Sequence, residues 1–191
     1  VITAFKSTRE IFLDPFGLPQ TWSLEPFLKV WQRADFGTYF RNSVVVTLSA
    51  TLLVLATSSM AAYGLARYTF RLSNPLYLFF LGGIMIPIRL GVLPLFMLMR
   101  NLNLLDTHAS LVLIYAASGL PMSVFLLTGF FRTLPRELED AARIDGCTEF
   151  QIFWRVMLPL VRPGLATVTI VNFVPWWNDF FFPLLFIRSD E

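Results

Sequence analysis

The sequence predicts an all-α membrane protein, built as a polytopic bundle of helices. Of its 191 residues, 55% are hydrophobic and only 15% are charged, whereas soluble domains are about 25% charged. Twenty Phe and five Trp add apolar surface that a soluble core of this size could not hide. Span-length runs without a charge complete the pattern, the first of them at residues 43–66, so a bilayer is the expected surrounding.

Residues 1–41 contain no apolar run long enough to cross a membrane. Repeated X-Pro pairs favour extended or turning backbone, and scattered Trp and Tyr side chains suit a membrane interface. We expect an extracytoplasmic loop with a short helix near residues 25–33. Because Val1 is not an initiator Met and residues 187–191 directly follow a hydrophobic run, we also expect both ends to be cut from a longer chain.

Residues 42–191 are interpreted as one transmembrane domain, and its first span is residues 43–66. At about 1.5 Å per residue, this uncharged stretch can cross roughly 30 Å of hydrocarbon. Its small side chains, including Gly64, suit close helix packing. Arg67 and Arg71 follow without an acid nearby, and this excess of positive charge predicts that the turn after the span lies in the cytoplasm.

Three more spans are predicted further along the chain. Residues 75–99 form a broken one, with a span ending near Pro87 and a shorter helix after it, since proline interrupts helices. Residues 108–131 form a span that is bent near Pro121. Residues 160–187 form the last span. Because successive spans alternate in direction, the polar stretch between the last two spans is expected in the cytoplasm.

That stretch, residues 132–159, is named the hinged loop because it carries two helical patterns joined at Gly146. Gly146 can take the left-handed dihedral angles that end the first helix, and Thr148 is a suitable cap for the second. In the first helix, three residues fall on one face: Leu138, Ala141 and Ala142. In the second helix, an apolar stripe repeats at helical spacing: Phe150, Phe153, Trp154, Met157 and Leu158.

The hinged loop contains Asp140-Ala141-Ala142, three residues, Gly146, nine residues and then Val156-Met157-Leu158-Pro159. This spacing resembles the cytoplasmic coupling loop of permeases in ATP-driven importers, which have Glu at the position of Asp140 and Ile at that of Val156. Further segments are similar to carbohydrate-uptake permeases: residues 61–67, 85–87, 94–96, 104–107 and 177–185. The similarity covers essentially the whole chain.

The resemblance implies a bundle of the type I ABC importer permease kind, with six spans of which this chain would hold the second to the fifth. It implies a multi-pass subunit of a bacterial or archaeal cytoplasmic (inner) membrane that imports a sugar or sugar derivative. Expected partners are an ATP-binding-cassette ATPase dimer, a second permease subunit, an extracytoplasmic sugar-binding protein and membrane lipid. The chain itself is expected to be no enzyme and to bind no cofactor, because the partner subunit would bind ATP.

Two sets of candidate residues lie in the hinged loop. The set that the resemblance implies for docking on the ATPase is Glu139, Asp140, Ala141, Ala142, Asp145 and Gly146. The set expected to pack the loop against the ends of its own spans is Phe150, Phe153, Trp154, Leu158 and Pro159. The small Ala141 and Ala142 would let another surface approach the backbone closely.

Polar groups inside spans are costly and seldom incidental. The last span carries a set that would suit a sugar pathway: Asn172, Trp176, Trp177, Asn178 and Asp179. Aromatic rings can cover the C–H faces of a sugar while amides and carboxylates bind its hydroxyls. Two alternatives stay open, since the indoles can form an aromatic belt at the outer interface and the polar side chains can join helices by hydrogen bonds. Arg89 can either line the pathway or end its helix at the outer surface.

The composition argues against several other functions. A net charge of +2 with scattered positive residues gives no basic face for nucleic acid. One Cys and one His exclude an internal disulfide and paired-histidine metal sites. The sequence has no phosphate-binding glycine loop and no nucleophile–base pair, so ATP hydrolysis must belong to a partner. The alternative function is an ion-coupled secondary transporter, which would need protonatable groups at mid-membrane, where only Asp179 and Arg89 could serve.

Overall fold

The computed structural model describes residues 5–6, 8–14, 16–18, 27 and 36–187. Within these residues every regular element is helical, which confirms the all-α class predicted from the sequence. The chain forms two compact units, residues 1–44 and 45–191. In chain order the helices are α1 Thr8–Leu13, α2 Phe36–Arg67, α3 Ser73–Met85, α4 Val92–Asn101, α5 His108–Thr133, α6 Glu137–Ile144, α7 Glu149–Leu160, α8 Arg162–Trp177 and α9 Phe181–Phe186.

The first unit contains α1, and the Lys6 side chain caps the C-terminal end of this helix. The Lys6 ammonium group donates a hydrogen bond to the carbonyl oxygen of Asp14 at 2.6 Å, where the chain leaves the helix and carbonyls lack helical partners. The short helix predicted near residues 25–33 lies outside the described residues, apart from Phe27.

Helices α2 and α5 are each long and apolar enough to cross a membrane, judged by length and composition. Helix α2 begins before residue 43, because Arg41 interrupts the charge-free run without interrupting the helix. Helix α5 begins after Thr107, whose side-chain oxygen accepts a hydrogen bond from the Ser110 amide at 3.4 Å and so caps the helix. Helix α5 continues through Pro121 as one helix, where the sequence predicts a bend.

The segment between α2 and α5 is a broken pair of helices. Helix α3 ends at Met85, and a 3₁₀ turn at Ile88–Gly91 leads into α4. The two arms meet at 87°. Ile86 is extended, with φ −89° and ψ 113°, because the ring of the following Pro87 disfavours helical geometry in the residue before it. The break therefore occurs beside the proline on which the prediction rested.

Helices α7 and α8 meet at 73°, on either side of Val161. Helix α7 contains a π-helical turn at Ile152–Met157, which inserts extra chain into one turn and rotates the residues that follow. The hinged loop thus ends in a bent connection rather than in one continuous helix.

The last predicted span, residues 160–187, is divided into two helices. Helix α8 ends at Trp177 and α9 starts at Phe181. The Asp179 carboxylate accepts hydrogen bonds from the Phe181 and Phe182 amides, each at 3.3 Å. These amides are the first donors of α9 and have no helical acceptor, so the aspartate starts a new helix where the sequence predicts a continuous one.

Helices of the second unit approach closely at three glycines. A Cβ at Gly83 would lie 2.9 Å from Cγ of Pro121, and one at Gly164 would lie 2.7 Å from the ring of Phe130. A Cβ at Gly119 would meet α8 in the same way. Among the described residues, no heavy atom lies within 4 Å of a Cβ added at Gly64, whereas other small residues of the same span are fully buried: Ala50, Ser58 and Ala62.

Buried residues of the second unit form two clusters. One joins α2, α4, α5, α8 and α9: Val46, Ala50, Val54, Met99, Leu111, Ile114, Tyr115, Trp176, Phe182 and Phe186. The other joins α2, α5 and α8 to the hinged loop: Ala62, Tyr63, Leu127, Phe131, Ala142, Ile152, Phe153, Met157, Val161 and Val168. The second cluster packs the loop against the helix ends.

Candidate functional site

The hinge between α6 and α7 is built as the sequence predicts. Gly146 has φ +79°, and its amide donates to the Arg143 carbonyl oxygen at 3.0 Å. Thr148 then starts α7 with a capping box: its Oγ1 accepts from the Gln151 amide at 3.4 Å, and Gln151 Oε1 accepts from the Thr148 amide at 2.9 Å. The predicted left-handed glycine and threonine cap are both confirmed.

Helix α6 does not present its three grouped residues to the same surroundings. Glu139 and Ala142 are buried, at 4% and 7% exposed, whereas Ala141 is exposed. Leu138 is also exposed, and Ile144 projects with 87% of its surface accessible. The prediction grouped Leu138, Ala141 and Ala142 on one face, but the structure separates the inward Ala142 from the other two.

A buried ion pair explains this orientation of α6. Arg67 Nε lies 3.4 Å from Glu139 Oε1, and both side chains are 5% exposed. Arg67 Nη2 also donates to the Leu134 carbonyl oxygen at 2.9 Å. The sequence shows Arg67 with no acid nearby along the chain, and the fold supplies one from the loop. The signal that could have found the pair is a charged residue three positions before Ala142, on the same helical face.

A second, exposed network joins α6 to α7. Arg143 Nη1 donates to Asp140 Oδ1 at 2.8 Å, and Arg143 Nε donates to Glu149 Oε1 at 2.7 Å. The Tyr68 hydroxyl donates to Glu149 Oε2 at 2.7 Å. The Asp140 carboxylate is thus held by an arginine of its own helix.

The charges of this network shift the titration of its members. The hydrogen bond from Arg143, followed by that from Tyr68, lowers the pKa of Glu149 below its ordinary value, and Glu149 raises the pKa of Arg143. Because the folded pKa of Glu149 is depressed, its contribution to stability is present above the unfolded value and is lost as pH falls through the folded one. All these groups are largely exposed, so the contribution is small.

The packing face of α7 also differs from the predicted stripe. Phe153 and Met157 are buried, and Ile152 joins them. Phe150 and Trp154 are 65% and 46% exposed, so their predicted packing against the spans is wrong. The π-helical turn changes the spacing at which residues return to the same face, so Ile152 and Met157, five residues apart, are both buried. The remaining predicted packing residues are half-buried: Leu158 and Pro159.

Gly146→Val is expected to destabilise the hinge by about 1–2 kcal/mol, the penalty for a left-handed residue with a Cβ. In the described part of the chain, no heavy atom lies within 4 Å of a Cβ added at Gly146, so backbone strain alone would cause the effect. Amide hydrogen exchange of residues 137–151 measures it in the purified full-length protein. Gly146→Asn is the matched control, because asparagine tolerates this conformation. Equal exchange in Gly146→Val and wild type would contradict the prediction.

The predicted pathway residues divide into two groups. Asn172 is buried, and its Nδ2 donates to Ser123 Oγ at 3.0 Å and to the Val168 carbonyl oxygen at 2.8 Å. The Trp176 ring stacks on Tyr115 at 5.6 Å with 13° between the planes. Together these contacts hold α8 against α5.

Trp177 and Asn178 lie outside this contact. Trp177 is half-buried and stacks on Phe173 at 5.8 Å. Asn178 is exposed, and its Nδ2 donates to the Val174 carbonyl oxygen at 2.8 Å. The Arg89 guanidinium lies 5.6 Å from the centre of the Phe181 ring.

Asp179 connects α5 to the start of α9. Its Oδ2 accepts a hydrogen bond from the Tyr115 hydroxyl at 2.8 Å, in addition to the two amides that it caps. These contacts join two helices. They fit the alternative in which the polar side chains of the last span link helices rather than line a sugar pathway. Sequence reasoning missed its partner Tyr115, and also Ser123 and Gly119, although Gly119 and Ser123 stand four residues apart in the middle of a span.

Asp179→Asn is expected to lower the stability of the helix bundle by about 1–2 kcal/mol. Both carboxylate oxygens accept hydrogen bonds here, whereas an amide has only one accepting oxygen, and losing a hydrogen bond to a charged group costs about this amount. The thermal midpoint of the detergent-purified protein measures the loss. Tyr115→Phe should remove part of the same contribution, so the two effects should not add. Additive effects, or an unchanged midpoint, would count against this role.

A cavity of about 440 Å³ lies between α3, α4 and α5. Its lining residues are Gly83, Ile86, Ile88, Leu95, Leu98, Met99, Leu113, Ile114, Ala117, Ser118 and Pro121. The Ser118 hydroxyl, the one polar side chain among them, donates to the Tyr115 carbonyl oxygen. Because sugar sites need several convergent polar groups, this cavity does not suit a sugar.

Apolar helices of membrane length, with a hinged polar loop tied to the end of α2, define the class of helical membrane proteins. Residues 54–190 match the family of binding-protein-dependent transport system inner membrane components. The chain belongs to this family, which confirms the resemblance drawn from the loop and places the protein in the inner membrane.

Individual relatives agree with this assignment. The chain is 43% identical over 191 residues to a diacetylchitobiose uptake system permease protein of Streptomyces coelicolor, covering all of this chain and 63% of that protein. It is 41% identical over 153 residues to an arabinooligosaccharides transport system permease protein of Bacillus subtilis, covering 80% and 54%. The chain thus spans less than two thirds of the length of these relatives.

A solved structure supports the fold. A chain of a bacterial ABC transporter that imports the acidic polysaccharide alginate superposes with a TM-score of 0.86, at 24% identity. The match covers 98% of this chain and 66% of that one. The architecture of α2 to α9 is therefore that of an ABC importer membrane subunit.

Proposed function

We propose that this chain is the membrane-spanning part of a permease subunit in an ATP-driven importer of sugars or sugar derivatives. The observation that carries the proposal is the hinged loop: α6 presents an exposed face while its buried face is anchored to α2. Such a loop suits a partner that binds it on the cytoplasmic side and transmits a movement to it. The names of the relatives, which concern oligosaccharide uptake, favour a sugar as the substrate.

The partner that supplies energy would be an ATP-binding-cassette ATPase dimer, which would bind the ATP. We propose that it contacts the exposed part of the predicted docking set: Asp140, Ala141, Asp145 and Gly146. The exposed Leu138 and Ile144 extend this surface with apolar side chains, which favour burial in a partner. Glu139 and Ala142, on the buried face of α6, would hold the helix in place without contacting the partner.

The sugar would pass beside the junction of α8 and α9. There the exposed Asn178 amide and the half-buried Trp177 ring offer the pairing of polar group and aromatic face that sugars bind. Asn172, Trp176 and Asp179 would support these two residues through their contacts with α5. A second permease subunit would close the pathway, and an extracytoplasmic sugar-binding protein would deliver the sugar.

Uptake by the reconstituted complex tests the proposal. The full-length protein, its second permease, the ATPase and the binding protein would be placed in proteoliposomes with radiolabelled diacetylchitobiose or an arabinooligosaccharide outside. We expect uptake of at least one of these sugars that requires ATP hydrolysis and persists when a protonophore removes the ion gradient. Uptake that needs an ion gradient and no ATP would instead support the secondary-transporter alternative.

A further inference from the structure

We propose that Arg67 and Tyr68 are positioning residues that lock the hinged loop to the end of α2, so that movement of the loop reaches α2 directly. Helices α5 and α8 are joined to the loop through the chain itself, whereas α2 is not. The lock is a property of the contacts on this chain. Its consequence for transport rests on the proposed function.

Arg67 makes two contacts at once, which the single ammonium group of a lysine could not do. Its Nε faces Glu139 Oε1 at 3.4 Å, and its Nη2 donates to the Leu134 carbonyl oxygen at 2.9 Å. The planar guanidinium holds both directions at once, whereas a lysine ammonium is a single point charge. One side chain of α2 therefore fixes both the entry into the loop and the buried face of α6.

Tyr68, the next residue, reaches the second helix of the loop. Its hydroxyl donates to Glu149 Oε2 at 2.7 Å, in the first turn of α7. One turn earlier in α2, the Tyr63 ring packs against Phe153 of α7 at 5.2 Å and against Phe131 of α5 at 5.5 Å. The end of α2 thus contacts both arms of the hinge and the helix that leads into it.

The burial of the Arg67–Glu139 pair favours a positioning role over a purely stabilising one. Desolvating two charges offsets most of their attraction, and apolar side chains of similar size often hold a core as well. Arg67 Nε and Glu139 Oε1 attract each other without a hydrogen bond between them, so the directional contact is the hydrogen bond from Arg67 Nη2 to the Leu134 carbonyl oxygen. An apolar pair would lack this bond and the register that it fixes. Arg71, in the turn that follows α2, is exposed and offers a matched arginine for comparison.

The test uses the reconstituted complex and measures sugar transported per ATP hydrolysed. Arg67→Met and Glu139→Leu are each expected to lower this ratio at least roughly fivefold, the lower range of coupling between sites. The controls are Arg71→Met, in the turn after α2, and Glu137→Leu, in α6. Both change exposed residues and should leave the transport ratio unchanged. Unchanged ratios for Arg67→Met and Glu139→Leu would overturn the proposal.

The double variant Arg67→Met/Glu139→Leu separates positioning from charge compensation. With no unpaired charge left, its thermal midpoint should return towards that of wild type, whereas its transport ratio should stay low and amide exchange in residues 137–146 should stay raised. Full recovery of the ratio would overturn the positioning role. Wild-type complexes without ATP-driven uptake would refute the proposed function, and the exchange measurement would then still decide whether Arg67 holds the loop.

Discussion

Gly119→Ala is expected to lower the stability of the helix bundle by about 1–3 kcal/mol, the range found when a packed core is overfilled. An added Cβ would overlap Asn172 Oδ1 and would lie 2.7 Å from Cζ2 of Trp176. Neither neighbour can move freely, because Asn172 is bonded to Ser123 and Val168 and the Trp176 ring is stacked on Tyr115. Helices α5 and α8 would have to separate.

Gly129→Ala is the matched control for this substitution. Gly129 lies in the same helix, but no heavy atom of the residues that the structure describes lies within 4 Å of a Cβ added there. Alanine is the better helix former by about 0.5–1 kcal/mol, so this variant should be as stable as wild type or slightly more stable. Thermal midpoints of the detergent-purified proteins compare the two. If both variants have the same thermal midpoint as wild type, α5 and α8 do not pack against each other at Gly119 as closely as the structure indicates.

Features that depend on neighbouring residues could be predicted from the sequence. Pro87 predicts the break after α3, because a proline restricts the residue before it. Gly146 and Thr148 predict the hinge, because each has a local conformational or hydrogen-bonding reason to be there. The apolar runs likewise predict helices of membrane length, though not where they begin, as Arg41 in α2 shows.

Features that depend on distant residues could not be predicted. Arg67 and Glu139, or Tyr115 and Asp179, meet only because the helices pack in one particular way. Without those pairs, Glu139 reads as a solvent-exposed charge and Asp179 as a group that could bind a sugar. Three-dimensional packing thus decides which polar residues stabilise the fold and which remain free for a ligand.

The orientation of the two loop helices shows the same limit. Helical spacing alone groups Ala141 with Ala142, and Phe150 with Phe153. The buried Glu139 turns α6 so that Ala142 points inward and Ala141 outward. In α7 the buried face includes Ile152, and Phe150 is exposed. A periodic pattern predicts that a helix has a packed face, but tertiary contacts choose the residues of that face.

Ala141→Trp is expected to reduce ATP-driven uptake by at least roughly tenfold, equal to about 1.4 kcal/mol of lost docking energy. Ala141 is exposed in the middle of α6, so the indole should not disturb the fold of the chain. It would instead prevent a partner from approaching the backbone of α6. Co-purification of the ATPase with the full-length permease and uptake in proteoliposomes measure the two consequences, docking and transport.

Two variants show whether this loss comes from docking. Ala141→Ser keeps the side chain small and should retain both ATPase binding and uptake. Ala142→Trp places the same indole on the buried face, where Ala142 is 7% exposed, and should raise amide exchange throughout α6 because the helix can no longer pack. Ala141→Trp should leave that exchange at the wild-type level. If Ala141→Trp binds the ATPase and transports normally, the exposed face of α6 is not the docking surface.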